Sequence, residues 1–181
     1  MPDKYLKLLA QKYPNSKAVA SEIINLNAIK SLPKGTEYFF SDLHGEYVSF
    51  LHLLKSASGM ILSKINLVFG KSLSTKERES LASLIYYPEQ RIKIETEKGN
   101  MNDDWKKVTI YRLIQVCNCI SAKYTRSRVR KQMPPEYAYI IDELLNVTDD
   151  INKDFYYDEI IRSILRTKTA EDFITSLCYL I

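Results

Sequence analysis

Apolar residues recur three or four positions apart along almost the whole of this chain, and one short stretch interrupts them. That spacing places them on one face of a helix. Leu6, Leu9 and Tyr13 open the pattern, which stops before Pro14. Val19, Ile23, Leu26 and Ile29 continue it, with Asn15 or Ser16 as the cap and "LPKG", 32–35, as the end. Tyr47, Phe50, Leu51 and Leu54 resume it after Gly45, and "ASG", 57–59, stops it again. Little in the chain opposes helix, because 181 residues include 5 Gly and 6 Pro. The length fits one domain, or one domain with a small extension, and 45% hydrophobic residues can build a sizeable core.

The later segments read the same way. "MILSKINLVFG", 60–70, is a further helix candidate of mixed pattern. "LSTKERESLASLIYYP", 73–88, has Ser74 or Thr75 as its cap, Glu77 and Glu79 in its first turn, and Pro88 after its end. "EKGNMND", 97–103, is a loop. A long helix follows from Asp103, with Trp105, Val108, Leu113, Val116 and Ile120 on or near one side. Pro134 and Pro135 sit at the start of the next, where helices tolerate proline. Two more helices complete the chain.

The interruption is "TEYFFS", 36–41, which is aromatic, begins β-branched and follows a Pro-Gly turn signal. It is expected to be a strand. One strand makes no sheet. Its partner is either "RIKIE", 91–95, or lies outside this chain. The fold class is therefore mainly α with one or two strands.

The interruption leads straight into "SDLHGEY", 41–47. At a strand end, Asp42 and His44 point to one side, because strand side chains alternate. A carboxylate and an imidazole converging there make half a metal site, suited to Mn, Fe or Zn. Gly45 permits a tight turn. The following helix directs its amides and positive dipole end toward an anion, and Glu46 is favourable in that first turn. The competing reading is a strand-to-helix junction with Asp as a cap. His52 lies mid-helix and reads as structural.

"SDLHGEY" resembles the first motif, D-x-H-G, of the calcineurin-like metallophosphoesterases. With "DKYLKLLAQKYP", "EIINLNAI", "LPKGTEYFFSDLHGEY", "KYTRSRVRKQMP" and "YAYIIDELL", in that order, the chain resembles the N-terminal region of the class 3 fructose-1,6-bisphosphatases. The resemblance implies a helical insertion into an α/β metallophosphoesterase sandwich. Residues 1–60 would belong to the sandwich domain and 61–181 to the helical insertion. It also implies manganese-dependent hydrolysis of the 1-phosphate of fructose 1,6-bisphosphate in gluconeogenesis, by a homo-oligomer. Asp42 and His44 would be ligands of one metal. The family continues with G-D-x-x-D-R and G-N-H motifs that supply the other ligands and the catalytic His. Neither motif occurs here, and one further His, His52, follows His44. The expectation is an incomplete sandwich, with the C-terminal catalytic remainder absent and no phosphatase activity from this chain alone.

"KYTRSRVRK", 123–131, carries Arg126, Arg128, Arg130 and Lys131 close together. Arg suits phosphate through its planar fork, so a sugar-phosphate or effector site is one reading. A subunit contact is another, and a solvated basic face paired with "DELLNVTDD", 142–150, is a third. RNA binding is disfavoured, because the net charge is only +4 and no RNA motif occurs. The alternative to an enzyme is a non-catalytic helical module for oligomerisation or anion binding. Cys117, Cys119 and Cys178 form no disulfide framework or zinc pattern and suit a reducing compartment. No signal peptide or membrane span is evident, so a cytoplasmic setting is expected.

Overall fold

The computed structural model describes residues 2–35, 37–147 and 151–181, and these are mainly helical. The helices are α1 (Pro2–Lys12), α2 (Ser16–Lys30), α3 (Tyr47–Lys55), α4 (Met60–Phe69), α5 (Thr75–Tyr86) and α6 (Pro88–Glu97). They continue with α7 (Asp103–Ser121), α8 (Arg126–Gln132), α9 (Ala138–Leu145), α10 (Ile151–Arg166) and α11 (Ala170–Leu180).

Local chemistry sets the helix ends. Asn15 caps α2 by accepting from the Ala18 amide. Ser74, rather than Thr75, caps α5 in a reciprocal capping box with Glu77. Hydrogen bonds from the Ser74 amide and hydroxyl hold the Glu77 carboxyl below its usual range. Pro88 follows the end of α5 at Tyr86, as the sequence predicts. It opens α6 at a first-turn position, where its missing N–H is not needed.

The core is assembled around α7, which packs on α4, α9, α10 and α11. Ile110, Leu113, Ile114, Val116 and Cys117 of α7 are buried. All of these but Cys117 cluster with Ile61, Ile65 and Phe69 of α4, spaced four apart, and with Phe173, Ile174 and Leu177 of α11. Leu113 and Val116 lie on this face as the spacing predicts, and Trp105 and Ile120 at its margin. Val108 turns outward and is exposed. Polar ties run around the rim. Lys106 pairs with Glu171 at 3.1 Å, and the Tyr111 hydroxyl donates to Asp158 at 2.7 Å. Burial, with Asp158 beside it, pushes the Tyr111 phenol up to about 12.

Both strand expectations are corrected. Residues 37–43 form no strand, while Thr36 lies outside the described residues. A strand requires a neighbour for its backbone groups. Among the described residues, the contacts that hold the segment come from side chains. The Tyr38 hydroxyl donates to the Ala57 carbonyl at 2.6 Å, and Phe40 meets Phe50 edge to face at 5.6 Å. "RIKIE" lies inside α6, where Arg91 bonds Glu95 one turn on at 3.0 Å. Its alternation is the chance overlap of two Ile with a helical ion pair.

Candidate functional site

The Asp-x-His-Gly segment lies between the extended residues and α3. His44 and Gly45 both take the left-handed backbone region, with φ of 47° and 73°. Gly adopts that region without a side-chain penalty, and His enters it more readily than most residues. The Glu46 amide then closes the turn on the Leu43 carbonyl at 2.9 Å. This turn, not strand alternation, brings the two side chains together. Nε2 of His44 lies 3.1 Å from Oδ2 of Asp42.

That separation can be tested against a metal. Two donors at about 2.1 Å from one ion, in adjacent positions roughly at right angles, sit about 3 Å apart. The pair therefore fits two neighbouring coordination positions. The side chains are 67% and 78% exposed, which leaves room for further ligands to approach. Among the described residues, no three His, Cys, Asp or Glu side chains gather in a metal-holding cluster. Asp42 and His44 are the two candidate donors that the described residues bring together here. Asp42 does not cap α3. Glu46 takes the cap position and makes no side-chain cap bond.

His52 faces elsewhere. Its Nδ1 is 2.8 Å from the Tyr87 hydroxyl, and its ring stacks on Tyr87 and meets Tyr86 edge to face. It joins α3 to the end of α5. A cavity of about 450 Å³ beside the extended segment is lined by Tyr38, Ala57, Ile61, Lys64 and Tyr124 among others, but by neither Asp42 nor His44.

The basic run divides by role. Arg126 is bound to the buried Asp142, with Nε at 3.3 Å and Nη2 at 3.0 Å from its two oxygens. Asn146 donates to the same carboxylate at 3.2 Å. Arg128 lies over the Tyr124 ring at 5.0 Å. Arg126, Arg130 and Lys131 with Ser127 line one surface depression. The pairing of Arg126 with the acidic stretch beginning at Asp142 was one of the sequence readings, but the burial of Asp142 was not foreseen. An Asp in "YIIDELL" carries no local sign that its helix will turn it inward.

Comparison with known proteins adds to this geometry. Residues 4–181 match the family model described as Firmicute fructose-1,6-bisphosphatase. A class 3 fructose-1,6-bisphosphatase of Clostridium acetobutylicum is 53% identical over 179 residues, covering 98% of this chain and 27% of the relative. Its counterpart in Clostridium tetani is 53% identical over 175 residues, covering 96% of this chain and 26% of the relative. That of Clostridium botulinum strain Hall is 51% identical over 175 residues, with the same coverage. The chain thus spans about a quarter of the length of these relatives. No solved structure matches.

Proposed function

The chain belongs to the Firmicute fructose-1,6-bisphosphatase family, and from that premise we propose that it is the N-terminal part of an enzyme hydrolysing the 1-phosphate of fructose 1,6-bisphosphate. The observation that carries the reading is the approach of Asp42 and His44 to 3.1 Å in the Asp-x-His-Gly turn. These two side chains would supply two ligands of a divalent metal, for which manganese is the proposed identity. When bound, such a metal neutralises phosphate charge and lowers the pKa of a water molecule.

Asp42 supplies a hard carboxylate oxygen and His44 an imidazole nitrogen, a donor pair that favours a transition metal over calcium or magnesium. The left-handed turn at His44 and Gly45 orients both toward solvent, where the remaining ligands enter. Arg128, Arg130 and Lys131 are the proposed phosphate- or effector-attracting groups. Arg126, committed to Asp142, acts there mainly by fixing α8. Residues 1–60 belong to the catalytic metallophosphoesterase sandwich and 61–181 to its helical insertion. The start of the apolar core at Ile61 supports that boundary. Three cysteines without a disulfide support a cytoplasmic setting. Among the described residues, no helix is long and apolar enough to cross a membrane.

The test joins residues 1–181 to the remaining sequence of the Clostridium acetobutylicum relative. This fusion should release phosphate from fructose 1,6-bisphosphate when supplied with manganese. Asp42→Asn should reduce that rate by about 100-fold or more. An active fusion indifferent to Asp42→Asn would sink the reading. A second reading, a non-catalytic helical module, draws on the self-contained core of α4 to α11. It requires Asp42 to be dispensable, so the same variant decides between them.

A further inference from the structure

The cavity beside the extended segment is lined from that segment, α4 and α7. Its volume of about 450 Å³ equals roughly fifteen water molecules at about 30 Å³ each, the size of a small-ligand site. Met60, Ile61 and Ile120 give it an apolar lining, and two tyrosines, Tyr38 and Tyr124, add aromatic surface.

The side of the cavity at Tyr38 is held in place. The Tyr38 hydroxyl donates to the Ala57 carbonyl at 2.6 Å. Ala57, Ser58 and Gly59 follow one another in the left-handed region, with φ of 46°, 53° and 83°. Two successive non-glycine residues there carry backbone strain. Such strain persists where the surroundings hold it, and it gathers at ligand clamps and switches.

The charge of the cavity is one-sided. Lys64 lies one turn beyond Ile61 on α4, is half-buried and lines the cavity. Among the described residues, its ammonium makes no ion pair and no hydrogen bond. Lys123, over the Tyr124 ring at 5.2 Å, lines the cavity as well. Among the described residues, no Asp or Glu does so. A half-buried ammonium without a counter-charge carries a desolvation cost that an anion offsets. Apolar and aromatic side chains around it select an anion with an apolar body.

We propose that this cavity binds a small amphipathic anion, an aromatic body carrying one acidic group, with Lys64 pairing the acid and Tyr38 and Tyr124 contacting the ring. The site shares no residue with the depression lined by Arg126, Arg130 and Lys131, and its ligand need not be the substrate.

Naphthalene-2-sulfonate is the probe, with 2-naphthol lacking the acid and inorganic sulfate lacking the ring. In calorimetric titration of the chain, naphthalene-2-sulfonate should bind at least about ten-fold more tightly than either. Lys64→Met should weaken it by about ten-fold or more and leave 2-naphthol unchanged, while Lys64→Arg should retain most of it. Arg130→Ala, in the separate depression, should leave it intact. Occupancy should also slow alkylation of Cys119, which lines the cavity, by iodoacetamide. That readout needs no variant, so it decides even where Lys64→Met fails to fold. Binding indifferent to Lys64→Met, loss with Arg130→Ala, equal binding of 2-naphthol, or an unprotected Cys119 each overturns the proposal. The fusion should bind the probe as the chain does. Loss of binding there would mean that the remaining polypeptide fills the cavity, which overturns the proposal too.

Discussion

α2 and α4 carry the same apolar rhythm and meet opposite fates. In α4, Ile61, Ile65 and Phe69 are buried. In α2, Val19, Ile23, Leu26 and Ile29 are 40%, 54%, 50% and 42% exposed. The contrast extends to the two regions they represent. From Ser56 onward the chain closes a core around α7, while the described residues before it close none. Helical spacing therefore states that a face is apolar, but not what covers it. Each of these half-exposed side chains forgoes part of the about 1.5–3 kcal/mol that full burial would give.

The widest difference between the regions should appear in stability. Phe173 is fully buried, so Phe173→Ala should cost about 3–5 kcal/mol in denaturant unfolding followed by helical circular dichroism. Val48→Ser, in α3, should stay within about 0.5 kcal/mol of the parent. Comparable losses at both positions would erase the distinction.

Thiol chemistry sharpens it next. Burial pushes the Cys117 thiol up to about 12 and raises that of Cys178 as well. The thiolate is the reactive form and is present only as pH approaches the pKa, so both should stay inert near pH 8. A thiol introduced by Val48→Cys should react with a disulfide reagent at least about ten-fold faster than Cys117, whose thiolate is scarcer and whose sulfur is buried. Fast modification of Cys117 would mean that the core opens readily.

A smaller effect separates the basic residues. Arg126→Ala leaves the buried Asp142 with Asn146 as its side-chain partner among the described residues, so it should lower the unfolding midpoint measurably. Arg130→Ala should leave the midpoint unchanged and weaken phosphate binding instead. The smallest effect concerns pH. Hydrogen bonds from Tyr111 and Lys107 hold the Asp158 carboxyl below its usual range. The bond between α7 and α10 then contributes fully above the unfolded pKa, near 4, and its contribution is lost as pH falls through the lower folded value. Asp158→Asn should remove that part of the acid sensitivity, by less than about 1 kcal/mol because the site is largely solvated.

Much of this was legible in the sequence. Ser74 and Glu77 announced the start of α5, whereas the mixed pattern of residues 60–70 made α4 only a candidate. The Asp42–His44 pairing was legible too, although its geometry comes from a left-handed turn at His44 and Gly45. What failed was whatever depended on distant partners. Residues 37–42 have strand chemistry but no neighbouring strand among the described residues. Arg91 to Glu95 alternated like a strand, yet an i,i+4 ion pair and a position after Pro88 placed them in a helix. The inward turn of Asp142 follows from how α9 packs on α7, which no local pattern encodes.

The central claim is that Asp42 and His44 are half of a metal site. Manganese titration by electron paramagnetic resonance, on the chain alone and on its fusion to the remaining relative sequence, tests it most directly. Two donors should hold manganese weakly in the chain alone. The fusion should bind it at least about 100-fold more tightly and lose at least about ten-fold of that with Asp42→Asn. Equally tight binding by both proteins, or binding in the fusion untouched by Asp42→Asn, would contradict it.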